Sequence, residues 1–142
     1  MYNYTKIECL SRLENETMVR CMVGMFVSKI NPTLDELTVV KTLVSEAMIN
    51  AIIHGYENNE NGRIFIELVI NDNELCITLQ DERVGIEDLN QAKVPLYTTK
   101  PELERSGMGI TIMETLSDHF EIESNVGKGT KVSMTKIFRG HQ

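Results

Sequence analysis

Glu46, Asn50 and His54 lie four residues apart in the otherwise apolar segment Glu46-Ala47-Met48-Ile49-Asn50-Ala51-Ile52-Ile53-His54-Gly55. On a helix this spacing puts all three on one face. A carboxylate, an amide and an imidazole on an apolar face suit a ligand or a metal ion, because buried polar groups otherwise each need an internal partner. A structural hydrogen-bond network is the alternative. Two further clusters could meet this stripe. Asp81-Glu82-Arg83-Val84-Gly85 leaves the end of a predicted strand, and Ser106-Gly107-Met108-Gly109-Ile110 opens a predicted helix. Glycines at a helix start free backbone N–H groups, and the positive helix end favours an anion such as phosphate. The same short pattern also serves a plain tight turn. Lys93, Lys100 and Arg105, with Thr98 and Thr99, supply cations and donors for a phosphate tail, or form a solvated basic stretch.

The elements that must position these groups follow from periodicity. Residues 3–10 read as a strand. Met18, Met22, Met25 or Phe26, and Ile30 recur at helical spacing and predict a helix over about 14–30, with Arg20 and Lys29 exposed and Gly24 allowing close packing. Asn31-Pro32 ends it. Thr33-Leu34-Asp35-Glu36 is a capping box, and the helix it starts runs to about His54 with a core stripe of Leu37, Val40, Val44, Ala47 and Ala51. Gly55 fits the residue just past its end. Alternating segments at 63–70 and 74–81 around Asn71-Asp72-Asn73 predict a β-hairpin. Residues 83–106 look irregular, with one short helix near 87–92, and a connection of that length is often a binding loop. A helix opens at Gly107-Met108-Gly109, with Ile110, Met113, Leu116 and Phe120 on one face, and strands follow at 119–124 and 130–138. The order β-α-α-β-β-loop-α-β-β predicts an α/β two-layer sandwich: a mixed, largely antiparallel sheet with helices on one face.

The chain has 142 residues, 42% hydrophobic and 25% charged, which suits one domain, residues 1–142, with a core of its own. A net charge of −7 without a basic stripe argues against direct nucleic-acid binding. No apolar run long enough to span a bilayer is expected, and Met1-Tyr2-Asn3-Tyr4 lacks the basic and apolar regions of a signal peptide. Cys9, Cys21 and Cys76 form no metal or CxxC pattern and are read as buried structural thiols in a cytoplasmic protein.

With Ser45-Glu46-Ala47, Asn50-Ala51-Ile52-Ile53-His54-Gly55-Tyr56, the segment Pro95 to Glu114 and Gly129-Thr130-Lys131-Val132 quoted, the chain resembles the GHKL nucleotide-binding superfamily of gyrase, Hsp90, histidine kinases and MutL. Within it the chain is similar to the anti-sigma factor serine kinases, and Thr99-Lys100-Pro101-Glu102-Leu103-Glu104-Arg105 fits their sporulation branch. The resemblance covers nearly the whole chain and implies the GHKL (Bergerat) ATP-binding fold. It implies ATP or ADP as cofactor with Mg²⁺ held by Asn50, an oxygen ligand suited to that ion. It makes Glu46 the general base toward a substrate serine and Asp81, with Thr130, the reader of adenine. Gly107 and Gly109, within Ser106-Gly107-Met108-Gly109, would present N–H groups to the phosphates. Lys100 and Arg105 would offset charge on the transferring γ-phosphoryl group. Gly85, Thr98 and Thr99 complete the implied nucleotide contacts. His54 is read as a structural hydrogen-bonding group. The second box departs from Asp-x-Gly-x-Gly, with Arg83 in place of the first Gly, where glycine permits unusual φ or close approach to the nucleotide. ATP binding is still expected because the other boxes are present.

The implied activity is that of an anti-sigma factor that sequesters a sporulation sigma factor and phosphorylates a serine on an anti-anti-sigma antagonist. The competing reading, favoured by Arg83, is a nucleotide-gated binding module without transfer. A stress-response relative and an orphan histidine-kinase domain are weaker. The family acts as a homodimer, and Arg20, the first helix and strand 3–10 are expected at the dimer or partner surface, with no nucleic acid and no membrane involved.

Overall fold

Thr33 starts the helix that carries the stripe. Its Oγ1 accepts from the Glu36 N–H at 3.1 Å, and the Glu36 carboxylate accepts from the Thr33 N–H at 2.9 Å. A cap of this kind contributes about 1 kcal/mol. Glu36 goes further: its second oxygen accepts from the N–H groups of Arg139 at 2.6 Å and Gly140 at 3.1 Å, joining the helix start to the far end of the chain. Burial pushes this carboxyl up, but the hydrogen bonds from Thr33, Arg139 and Gly140 outweigh it and hold it below its ordinary value.

A computed structural model describes residues 1–57, 59–82, 109–125 and 129–140. Its elements run β1 (Tyr2–Leu10), α1 (Leu13–Phe26) with a 3₁₀ turn Val27–Ile30, α2 (Leu34–Asn50) with a π turn Ala51–Gly55, β2 (Arg63–Asn71), β3 (Glu74–Gln80), α3 (Gly109–Leu116), β4 (His119–Asn125) and β5 (Gly129–Ile137). This is the expected order and the expected two-layer sandwich. The five strands form one sheet in the order β1-β2-β3-β5-β4, and each of these pairings is antiparallel. Alternation sets its inner face. Ile66 pairs with Leu79, Leu68 with Ile77, and Ile77 with Met134; all five side chains are buried against the helices. The β2–β3 turn is two residues, and Asp72 takes the positive φ of 55°.

The structure corrects several expectations. Met18, Met22 and Met25 do mark a helical period, but they face outward. The core takes Val19, Val23 and Val27 instead, with Phe26 and Ile30 half-buried. Three β-branched valines pack the inner face, and the longer flexible methionines are left outside. Cys21 lies on that outer face and is exposed, while Cys9 and Cys76 are half-buried, so none of the three is a fully buried thiol. Gly55 is not the residue just past the helix end but the last residue of the π turn, which Tyr56 caps. The final turn widens so that the Tyr56 N–H donates to the Ala51 carbonyl at 2.9 Å, and Glu57 takes the positive φ of 51°. Leu34–His54 is 21 residues long with mean hydropathy 1.3, long and apolar enough to cross a membrane by length and composition, against expectation. Val40, Leu43, Val44, Ala47 and Met48 bury its inner side in the shared core, which makes it a core helix here.

Candidate functional site

Asp81 follows the last residue of β3, and the neighbouring strand β5 fixes it twice. Its N–H donates to the Thr130 carbonyl at 3.0 Å, and its Oδ1 accepts from the Thr130 N–H at 3.3 Å. The residue is 2% exposed. Thr130, also buried, shares a hydroxyl–hydroxyl bond of 2.8 Å with Ser124 on β4. Gly129 makes this approach possible. Its φ is +104°, and a Cβ there would overlap the Asp81 carbonyl oxygen and lie 2.7 Å from the Glu82 Cα. A side chain at position 129 would therefore push β5 away from the end of β3.

Tyr56 closes the corner from the helical side. Its hydroxyl accepts from the Glu82 N–H at 2.9 Å and donates to the Arg63 carbonyl at the start of β2. Burial pushes the phenol above its ordinary value; the Glu82 N–H bond opposes that, and the negative charges of Asp81 and Glu82 add to it. It stays neutral at physiological pH and serves as a donor and acceptor.

On α2, Glu46 is half-buried and Asn50 is buried one turn later, at the last α-helical residue. Asn50 makes no side-chain hydrogen bond among the described residues, so its amide oxygen is available as a hard ligand. Glu46 and His54 are each engaged with other groups. His54 falls inside the π turn, so it no longer repeats at the α-helical spacing that relates Glu46 to Asn50. Such widened turns concentrate at functional sites. Gly109 opens α3 and is buried. Arg20 stands elsewhere, on α1, with Nε 3.6 Å from Glu16 Oε1. Gly85, Thr98, Thr99, Lys100, Arg105, Ser106, Gly107 and Met108, together with Arg83, Lys93 and the short helix expected near 87–92, lie outside the described residues.

The structure thus joins Asp81 to Thr130 and sets Asn50 one turn from Glu46. Three contributors were not singled out from the sequence: Tyr56, Ser124 and the steric need for Gly129. Tyr56 directly follows the helical stripe, and a buried tyrosine needs a partner for its hydroxyl; that was the available signal. Ser124 offered none.

The chain is similar to known proteins over most of its length. The histidine kinase-like ATPase domain matches residues 10–136. An anti-sigma F factor from Clostridium kluyveri is 54% identical over 136 residues, 96% of this chain and 95% of its own length. One from Geobacillus thermodenitrificans is 52% identical over 136 residues, 96% and 93% of the two chains. The crystal structure of the RsbU and RsbW domains of a Mycobacterium tuberculosis protein superposes with a TM-score of 0.69 at 17% identity, over 96% of this chain and 32% of that one, a likeness of fold. The chain belongs to the histidine kinase-like ATPase domain family, and within it to the anti-sigma F factors.

Proposed function

We propose that this nucleotide-binding chain is a cytoplasmic, single-domain anti-sigma factor that sequesters a sporulation sigma factor and, as an ATP-dependent serine kinase, phosphorylates an anti-anti-sigma antagonist. The observation that carries the reading is the burial of Asn50, Asp81 and Thr130 at the family's motif positions. Five polar or charged residues are buried among the described residues, and these are three of them. The other two lie elsewhere: Ser11 donates to the Asn59 carbonyl, and Glu16 accepts from Ser45 Oγ at 2.6 Å. A core gains nothing from burying further polar groups, whereas a ligand uses them.

In this reading Asp81 accepts from the adenine amino group, and Thr130 lies at the same edge. The free amide oxygen of Asn50 fits Mg²⁺, which would offset charge on the phosphates. With Asn50 as the protein ligand, phosphate oxygens and waters would complete the ion's shell, as Mg²⁺ commonly has it. Gly107 and Gly109, in Ser106-Gly107-Met108-Gly109, offer N–H groups to the phosphates, and Gly85, Thr98 and Thr99 line the nucleotide. Glu46 takes the proton as the serine oxygen bonds to the γ-phosphorus and the bond to the β-phosphate oxygen breaks. Lys100 and Arg105 offset the charge of that transfer. The chain acts as a homodimer, with Arg20 and the outward methionines Met18, Met22 and Met25 at the dimer or partner surface.

Incubation with the antagonist and γ-labelled ATP tests the enzyme claim: serine phosphate is expected. ATP bound without any transfer would leave the second reading, a nucleotide-gated binding module, which Arg83 favours.

A further inference from the structure

The peptide between Asp81 and Glu82 is held at both of its polar ends. Its carbonyl oxygen faces the bare Cα of Gly129 so closely that no side chain fits there. Its N–H donates to Tyr56 Oη at 2.9 Å. The peptide is trans, as are all those described, so these contacts grip opposite sides of one rigid plane. Rotation of that plane would swing the Asp81 carboxylate away from the direction its bond to the Thr130 N–H defines. Tyr56 is itself anchored. Its hydroxyl proton goes to the Arg63 carbonyl, and its ring lies against Gly62, where a Cβ would overlap it.

We propose that Tyr56 is a positioning residue for recognition of the nucleotide base: through the Glu82 N–H it aims the Asp81 carboxylate at the exocyclic amino group of the purine. The proposal rests on the reading of Asp81 as the adenine acceptor. It assigns Tyr56 a share in discriminating a 6-amino purine from a 6-oxo purine, which presents an acceptor where the carboxylate needs a donor. Phosphate binding, carried by other residues, is independent of it.

The test is Tyr56→Phe, which keeps the ring and removes only the hydroxyl, with calorimetric titration of ATP, GTP and inorganic triphosphate in Mg²⁺. Expected are an ATP Kd about tenfold weaker, an ATP-over-GTP preference reduced by a similar factor, and an unchanged triphosphate Kd. A purely structural tyrosine would lower the melting temperature and leave the ATP-over-GTP ratio unchanged, and that result overturns the proposal. So does equal weakening toward all three ligands. Failure of the unsubstituted protein to bind ATP would instead overturn the underlying site reading. Should Tyr56→Phe not fold, amide exchange at Glu82 in the unsubstituted chain decides. Linkage requires ATP to strengthen the bond that helps to bind it, so saturation with ATP should slow exchange there about tenfold. Exchange at Glu82 that is the same with and without ATP overturns the proposal.

Discussion

The corner around Asp81 and the stripe on α2 are built by opposite means. Partners 26 and 49 residues away hold the corner, with the Glu82 N–H on Tyr56 and the Thr130 N–H on Asp81. The stripe is local: Glu46 and Asn50 are one helical turn apart, and the helix alone relates them. In the proposed reading such a site divides labour: the non-local corner would supply a fixed shape to discriminate a flat base, and the local stripe would supply chemical groups along a line, from which His54 departs in the widened turn.

That contrast can be broken in order of effect. Glu46→Gln should lower phosphotransfer by about 10²–10⁴-fold, the usual worth of a general base, while ATP affinity and sigma-factor binding stay as they were; single-turnover transfer beside calorimetry measures both. A parallel loss of ATP affinity would mean that the stripe also holds the nucleotide. Asp81→Asn should weaken ATP binding by about 10–100-fold, the cost of a mismatched charge-assisted hydrogen bond, and should leave the rate of transfer from bound ATP little changed. Titration followed by single-turnover kinetics at saturating ATP separates those quantities.

The smallest effect serves as the control, far from both regions. The Glu36 carboxyl is held below its ordinary value of 4.5 in the folded chain. A depressed folded value means that its contribution is fully present above the unfolded value and is lost as pH falls through the folded one. Glu36→Gln should therefore melt a few degrees lower than the unsubstituted chain near neutrality. The two should converge as the pH falls below the ordinary carboxyl range and through the lowered folded value, with ATP affinity at pH 7 equal in both. Melting curves across pH would show it, and a gap that persists in acid would refute the charge-based account.

Much of the fold was legible because it is written in short periods. The capping box at Thr33 and Glu36, the alternating apolar residues of β2 and β3, and the breaks at Asn31-Pro32 and Asn71-Asp72-Asn73 each have a local cause, and each stands where expected. Periodicity does not identify the buried face when a helix carries two apolar stripes. Along α1 and the 3₁₀ turn that follows it, the valines at 19, 23 and 27 and the methionines at 18, 22 and 25 have nearly the same spacing, and packing against α2 decided between them. The stripe was readable from spacing for the same reason as the helices. The corner was readable only in pieces, since nothing in the order of residues announces that Gly129 must lie against the 81–82 peptide or that Tyr56 caps it. Those contacts exist only once the sheet has closed.

The strand order carries a consequence for the time course of assembly. β5 is the last strand in the chain but not an edge of the sheet: it stands between β3 and β4. Until it inserts, β4 has no partner, β3 has a bare edge, and Asp81 lacks both of its bonds to Thr130. On the proposed reading of Asp81, a chain emerging from the ribosome therefore carries the chemical groups of α2 long before the corner that would select the base is assembled, and base selection would be the last competence to arrive.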